Sequence, residues 1–118
     1  LSQQIQFLRA IDQLKLVNRK SYIADGSRRE NSAEHSWHVS MAALVLTDCA
    51  PDGLDQSKLI RMLLLHDVIE AYAGDTNMYD STARITQVQR EARAAEDLFG
   101  LLPDGQRESF HRLWREFE

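Results

Sequence analysis

Residues 63–75 read LLLHDVIEAYAGD, and the centre of this stretch is the doublet His66-Asp67. Six of the seven residues in 59–65 are apolar, which predicts a helix buried on nearly every side. An ionised carboxylate in such surroundings is costly unless a cation or hydrogen-bond donors compensate it. A bound metal ion is therefore the simplest explanation of Asp67. The alternative for His66 is a core histidine whose hydrogen bonds are satisfied.

A second segment, AEHSWH at 33–38, fits the same site. It begins another strongly apolar helix and carries His35 in the first turn. His38 lies one turn further along the same face, so two interpretations stay open for it. It is either a further ligand or a neighbour that forms hydrogen bonds within the helix pair.

Glu70 follows His66 by four residues and Asp67 by three, so the three side chains share one sector of the helix surface. Imidazole and carboxylate ligands together suit Mn, Co, Fe or Zn and leave Mg possible. Such a set leaves coordination positions open for water and substrate, as a catalytic metal requires.

Length and composition restrict the class of protein. A chain of 118 residues is expected to form one domain, and 14 basic against 18 acidic side chains give a net charge of −4, which argues against broad binding to nucleic acid. The longest apolar runs, 41–46 and 62–65, are far below the roughly 20 residues that a membrane helix needs. We expect a soluble, cytoplasmic protein without membrane contact. The single cysteine, Cys49, excludes an internal disulfide and is predicted to be buried.

Apolar periodicity predicts an all-α fold of five helices. The predicted ranges are 2–16, about 32–48, 55–72, about 81–99, and a last helix that starts near Pro103. Asn31 or Ser32 is predicted to cap the second helix, and Asp55 or Ser57 the third. The second and third helices are expected to be innermost and the fourth peripheral, and 20–31 is expected to be a loop.

Three motifs together carry a family resemblance: LVNR at 16–19, ENSAEHSWHV at 30–39 and LLLHDVIEAYAGD at 63–75. They resemble the HD-domain metal-dependent phosphohydrolases, and more narrowly the bacterial 5'-deoxynucleotidases and their relatives. The resemblance covers most of the chain. It implies one HD domain over 1–118, a helical bundle with two central buried helices, which lacks the C-terminal helix or helices of the full family domain.

The resemblance also implies a set of site residues. These are the metal ligands His35, His66 and Asp67, with Asp67 also taking part in catalysis, Glu70 for the attacking water, Arg19 for the phosphate, and Asp75 near the sugar. The fourth ligand of the family is an aspartate on a later helix, and this chain has no counterpart after Glu118. Either a missing segment, water or Asp75 is expected in its place, or the ion binds weakly. Lys20 stands where the nucleotidases carry a tryptophan, so the preference for deoxyribose stays open. From the residues alone, Arg19 could instead pair with a helix end or with Glu30. Glu70 could be a solvated partner of a basic residue, and Asp75 could only cap the turn after Gly74.

The resulting expectation is a phosphomonoesterase that removes the 5'-phosphate from (deoxy)nucleoside monophosphates with a divalent cation, Mn or Co being favoured. One alternative is a non-catalytic, metal-stabilised module that binds nucleotides or proteins. Another is an HD hydrolase of nucleoside triphosphates or signalling nucleotides. The acidic stripe of the fourth helix and the apolar face of the fifth suggest a homodimer.

Overall fold

The computed structural model describes the backbone of residues 1–73 and 81–118 and the side chains of 1–73 and 87–118. Its helices are Ser2–Ile11 (α1), Ser32–Val45 (α2), Gln56–Leu65 (α3), Glu70–Ala73 (α4), Ser81–Phe99 (α5) and Asp104–Phe117 (α6). Two short strands, Asn18–Tyr22 (β1) and Arg29–Asn31 (β2), pair as an antiparallel ribbon. The predicted all-α class is confirmed. Among the described helices, none combines the length and the apolar character required to cross a membrane.

The first predicted helix is divided into two parts. α1 ends at Ile11, and a 3-10 helix, Asp12–Leu16, continues the chain to an extended residue, Val17. The tighter winding places Leu14 in the core, where it is buried together with Phe7 of α1. The carbonyl of Val17 then accepts the backbone N–H of Ser32 over 2.9 Å, which ties this segment to the start of α2.

The ribbon occupies a segment that was expected to be a loop, so that part of the prediction is wrong. Asn18 pairs with Asn31 and Tyr22 with Arg29, and every residue of β1 except Arg19 is exposed. Because neither strand buries a continuous face, the sequence shows no alternation of apolar and polar residues. Gly26 allows the turn between the strands, since its φ of 75° is a conformation that glycine adopts without strain.

Side-chain caps fix the starts of α2 and α3 at predicted positions. The Asn31 side chain accepts the backbone N–H of Glu34, and the Glu34 side chain accepts that of Asn31, which makes a capping box. The Asp55 side chain accepts the backbone N–H of Lys58 at the start of α3. The first turn of α2 is therefore held in place by its own sequence.

The core is centred on the C-terminal half of α5, which was predicted to be peripheral. Ala95, Leu98 and Phe99 are fully buried there, where α5 packs against α1, α4 and α6. The ring of Phe99 lies 6.4 Å from that of Phe7 and 6.4 Å from that of Trp114, between centroids. The prediction fails because the apolar stripe of this helix is completely buried, although it is narrow and lies beside a charged face.

α2 packs against α3, yet it does not lie at the centre of the fold as predicted. Its buried residues are three serines, Ser32, Ser36 and Ser40. Four large side chains on another face are exposed: Trp37, Met41, Leu44 and Val45, which we call the α2 apolar stripe. The small polar residues of α2 therefore face inward, and much of its apolar surface faces solvent. Cys49, just beyond α2, is also exposed, contrary to the prediction.

Candidate metal centre

The His66-Asp67 doublet lies at a break between α3 and α4, where the sequence predicted one continuous helix. From residue 65 to 72 most backbone hydrogen bonds close after three residues, for example from the N–H of Glu70 to the carbonyl of Asp67. The Nδ1 atom of His66 bonds to the carbonyl of Leu63, which a regular α-helix would offer to the N–H of residue 67. This competition explains why the helix stops where the doublet begins.

The break directs the other nitrogen of His66 toward the neighbouring carboxylate. Nε2 of His66 lies 2.9 Å from Oδ2 of Asp67. His35, in the first turn of α2, faces the same carboxylate, and its Nε2 lies 4.0 Å from Asp67 Oδ2. The three residues each offer one ligand atom, and all of these atoms lie within 4.8 Å of one another.

These separations test whether one ion fits the set. Two atoms each about 2.1 Å from an ion lie about 3.0 Å apart when they bind at right angles and about 4.2 Å apart when opposite. The two separations that join Asp67 Oδ2 to the histidine nitrogens, 2.9 and 4.0 Å, fall close to these values. Two imidazoles and a carboxylate also match the donors that a divalent transition metal prefers.

The electrostatics of the three groups depend on burial and on their contacts. Burial lowers the pKa of His35, and the charge of Arg19 adds to the effect. Burial also acts against protonation of His66, but its hydrogen bonds to Asp67 and the Leu63 carbonyl outweigh this and raise its pKa. Burial acts to raise the pKa of Asp67, yet the His66 hydrogen bond and charge prevail and lower it. The centre therefore presents an ionised carboxylate at neutral pH.

Glu70, at the start of α4, reaches toward α2. The hydroxyl of Ser32 donates a hydrogen bond to Glu70 Oε2 over 2.5 Å, and Ser32 is completely buried. The bond links the first residue of α2 to the glutamate that follows the doublet by three positions. It restricts the rotamers that the Glu70 carboxylate can adopt.

Arg19 reaches the centre from β1. Its Nη1 atom donates to Glu30 Oε1 over 2.8 Å and lies 3.0 Å from Nδ1 of His35. The pairing with Glu30, which was the plainer alternative, is therefore present, and it holds the guanidinium beside the predicted ligand. About a third of the Arg19 side chain stays exposed, so it is accessible from solvent.

Two other candidates are not part of this group. His38 is exposed and its ring lies against Trp37 at 5.9 Å between centroids, so it is not a member of the cluster found among the described residues. Asp75, the predicted sugar contact and a possible substitute ligand, lies outside the described residues.

Three side chains make contacts at the centre that the sequence did not predict. Glu30 appeared only as a partner of Arg19 and Ser32 only as a cap, although both lie within five residues of His35 in the ENSAEH segment. That proximity was the signal that could have found them. Phe117 of α6 places its ring 5.0 Å from that of His66, between centroids, and no local pattern indicates so distant a contact.

Fold and centre together define an all-α protein with a candidate site for a divalent cation, at which two histidines and an aspartate converge. The HD domain family matches residues 11–118. The chain belongs to the HD-domain family.

Individual relatives agree with this assignment. The human 5'-deoxynucleotidase HDDC2 is 31% identical over 97% of this chain and 55% of its own length. The zebrafish (Danio rerio) 5'-deoxynucleotidase HDDC2 is 29% identical over 100% of this chain and 58% of its own. The crystal structure of a predicted metal-dependent phosphohydrolase from Magnetospirillum magnetotacticum MS-1 is 41% identical, with a TM-score of 0.88. It is matched over 98% of this chain and 59% of that one, so the chain spans somewhat more than half the length of these relatives.

Proposed function

We propose that this chain is a metal-dependent phosphohydrolase that removes the 5'-phosphate from (deoxy)nucleoside monophosphates. The observation that carries the proposal is the convergence of His35, His66 and Asp67 beside the guanidinium of Arg19. A cation site next to a guanidinium suits a phosphate monoester, because both groups neutralise phosphoryl oxygens. The activity named for the human and zebrafish relatives supports a nucleotide substrate, and the name of the bacterial neighbour supports metal dependence.

His35, His66 and Asp67 would hold the ion. A divalent cation in this place supplies a Lewis acid and lowers the pKa of water. Glu70, oriented by Ser32, is proposed to accept the proton of the attacking water. Arg19, held by Glu30, is proposed to donate to phosphoryl oxygens whose charge grows in the transition state. Asp75 is proposed to lie near the sugar, as the family resemblance implies.

For the ion itself we favour Mn or Co over Fe, Zn and Mg. Two imidazole nitrogens favour the borderline transition metals over Mg, whereas the carboxylate keeps harder ions in competition. Elemental analysis of the purified protein, followed by reconstitution of the stripped protein with each ion, would identify the metal. A chain that is fully active with Mg alone would contradict this preference.

The function is tested by a phosphate-release screen over 5'-monophosphates, with wild type, Asp67→Asn and the surface control Glu116→Gln. Glu116 pairs with Lys58 and belongs to no part of the centre. We expect orthophosphate release by the wild type and the control, and release at background level for Asp67→Asn with an unchanged circular dichroism spectrum. Pyrophosphate or triphosphate as product would favour the hydrolase of triphosphates or signalling nucleotides. Nucleotide binding without any release would favour the non-catalytic module.

We further propose a cytoplasmic homodimer, in which the α2 apolar stripe is the contact surface. The apolar face of α6 is less suited than the sequence suggested, because Leu113 and Trp114 are buried within the chain. The stripe carries no charge, so two copies of a chain with a net charge of −4 meet there without opposing like charges. Light scattering should give a dimer for the wild type and the exposed control Val88→Glu, and a monomer for Val45→Glu. A monomeric wild type would exclude the dimer. Cell fractionation would test whether the protein is cytoplasmic.

A further inference from the structure

Two side chains of opposite character converge on the same nitrogen of His35. Nη1 of Arg19 lies 3.0 Å from Nδ1, and Oε1 of Glu30 lies 3.3 Å from it. A guanidinium only donates hydrogen bonds and a carboxylate only accepts them. Nδ1 can therefore bond to one of the two at a time, and the position of the imidazole proton decides which.

The same proton decides what the other nitrogen can do. A neutral imidazole carries one proton, on Nδ1 or on Nε2. When Nδ1 accepts from Arg19, the proton is on Nε2 and that nitrogen has no free lone pair for an ion. When Nδ1 donates to Glu30, the lone pair of Nε2 is free, and Nε2 is the atom that lies 4.0 Å from Asp67 Oδ2.

We infer that Glu30 is a positioning residue that holds His35 in the tautomer able to bind a metal ion, and that ion binding thereby releases Arg19 from the imidazole. The released guanidinium keeps its bond to Glu30 and offers its remaining N–H groups to a phosphate. Cation and phosphate are thus coupled through one carboxylate. The inference deepens the proposed function and rests on its metal site.

The local architecture separates this role from a purely structural one. Glu30 does not cap α2, because that cap is made by Asn31 and Glu34. Glu34 also pairs with Arg28, at 2.5 Å, and both side chains are substantially exposed. Glu30 is more enclosed, with 15% of its side chain exposed, and its partners are Arg19 and His35. Glu30 and Glu34, four residues apart, therefore have different roles: Glu30 contacts His35, whereas Glu34 caps α2.

This difference supplies a matched set of variants: Glu30→Ala, Glu30→Gln and the control Glu34→Ala. Zn²⁺ affinity is measured by competition with a chromophoric chelator. We expect Glu30→Ala and Glu30→Gln to weaken Zn²⁺ binding about 10- to 100-fold, the usual effect of removing the partner of a metal-bound histidine. Glutamine tests the carboxylate itself, since its amide can donate to Nδ1 and favour the wrong tautomer while it preserves the shape. Glu34→Ala should lower the Tm yet leave Zn²⁺ affinity within about twofold, because it keeps the partner of His35.

The second measurement is the tautomer of His35, read from long-range ¹H–¹⁵N NMR spectra with and without Zn²⁺. In the zinc-loaded wild type the proton should be on Nδ1. In the metal-free Glu30 variants the fraction of protein with the proton on Nε2 should exceed that of the wild type, an effect that general loosening would not produce. If the wild type binds Zn²⁺ and both Glu30 variants bind it with the same affinity, the inference about Glu30 is wrong and the proposed metal site still stands. A wild type whose His35 and His66 signals do not respond to Zn²⁺ would overturn the proposed metal site with it.

Discussion

The junction of β2 with α2 and the core around α5 are held together by different forces. At the junction, side chains make directed hydrogen bonds, such as that of Ser32 with Glu70 and that of Asn31 with Glu34. In the core, Leu98 and Phe99 are fully buried among apolar neighbours. Apolar burial is large and without direction, whereas a hydrogen bond adds little net stability and fixes a position. Changes in the core should therefore act on stability, whereas changes at Ser32 and Glu30, the junction residues that contact the candidate centre, should act on chemistry.

The largest effect is expected when the core is opened. Phe99→Ala should lower the free energy of unfolding by about 3–5 kcal/mol, because it leaves a cavity where a completely buried ring packs. Urea denaturation followed by circular dichroism measures this change. Val88→Ala, on the exposed part of the same helix, should cost less than about 0.5 kcal/mol. Equal costs for the two variants would mean that α5 is not the centre of the core.

The next effect should appear in activity and not in stability. Ser32→Ala removes the donor that orients Glu70, and we expect phosphate release to fall about 10- to 100-fold at a stability cost of about 1 kcal/mol. Ser40→Ala is the matched control, since Ser40 is buried on the same face of α2 and donates to the carbonyl of Ser36. An equal loss of activity in both variants would assign the effect to the packing of α2 and not to the Ser32–Glu70 hydrogen bond.

The smallest effect concerns the exposed ion pair of Arg28 and Glu34 and depends on pH. The hydrogen bonds from Arg28 and from the backbone of Asn31 lower the pKa of Glu34 from 4.5 to about 2. A carboxyl group with a lowered pKa stabilises the fold above its unfolded pKa, and the contribution is lost as the pH falls through the folded value. Glu34→Gln should therefore lower the Tm slightly above pH 5, and the difference from wild type should vanish near pH 2. A difference that persists at pH 2 would show that charge is not its cause.

The candidate centre was largely predictable because its chemistry is encoded in short segments. A histidine and an aspartate beside an apolar run, and a second histidine just inside a capped helix, require no knowledge of distant contacts. The structure brings His35, His66 and Asp67 together as the resemblance implied. Their role as ligands and the role of Glu70 remain proposals, and that residues 1–118 form a single domain stays a prediction.

What the sequence did not predict depends on competition between distant or subtle partners. The third helix breaks because the ring of His66 takes the carbonyl of Leu63, a choice that helical periodicity does not register. α2 turns three serines inward, although hydrophobicity alone favours burial of its apolar side chains. The ribbon forms from strands with no apolar face, and β1 places Arg19 beside the centre. In each case tertiary contacts override the local pattern.

The break after Leu65 also has an electrostatic consequence. A helix carries partial positive charge at its N-terminus and partial negative charge at its C-terminus. α3 ends immediately before His66, so its negative end favours a cation beside the doublet. The first turn of α2, which contains His35, is the positive end of that helix and favours an anion. The backbone alone, without any charged side chain, thus favours a cation at one helix end and an anion at the other.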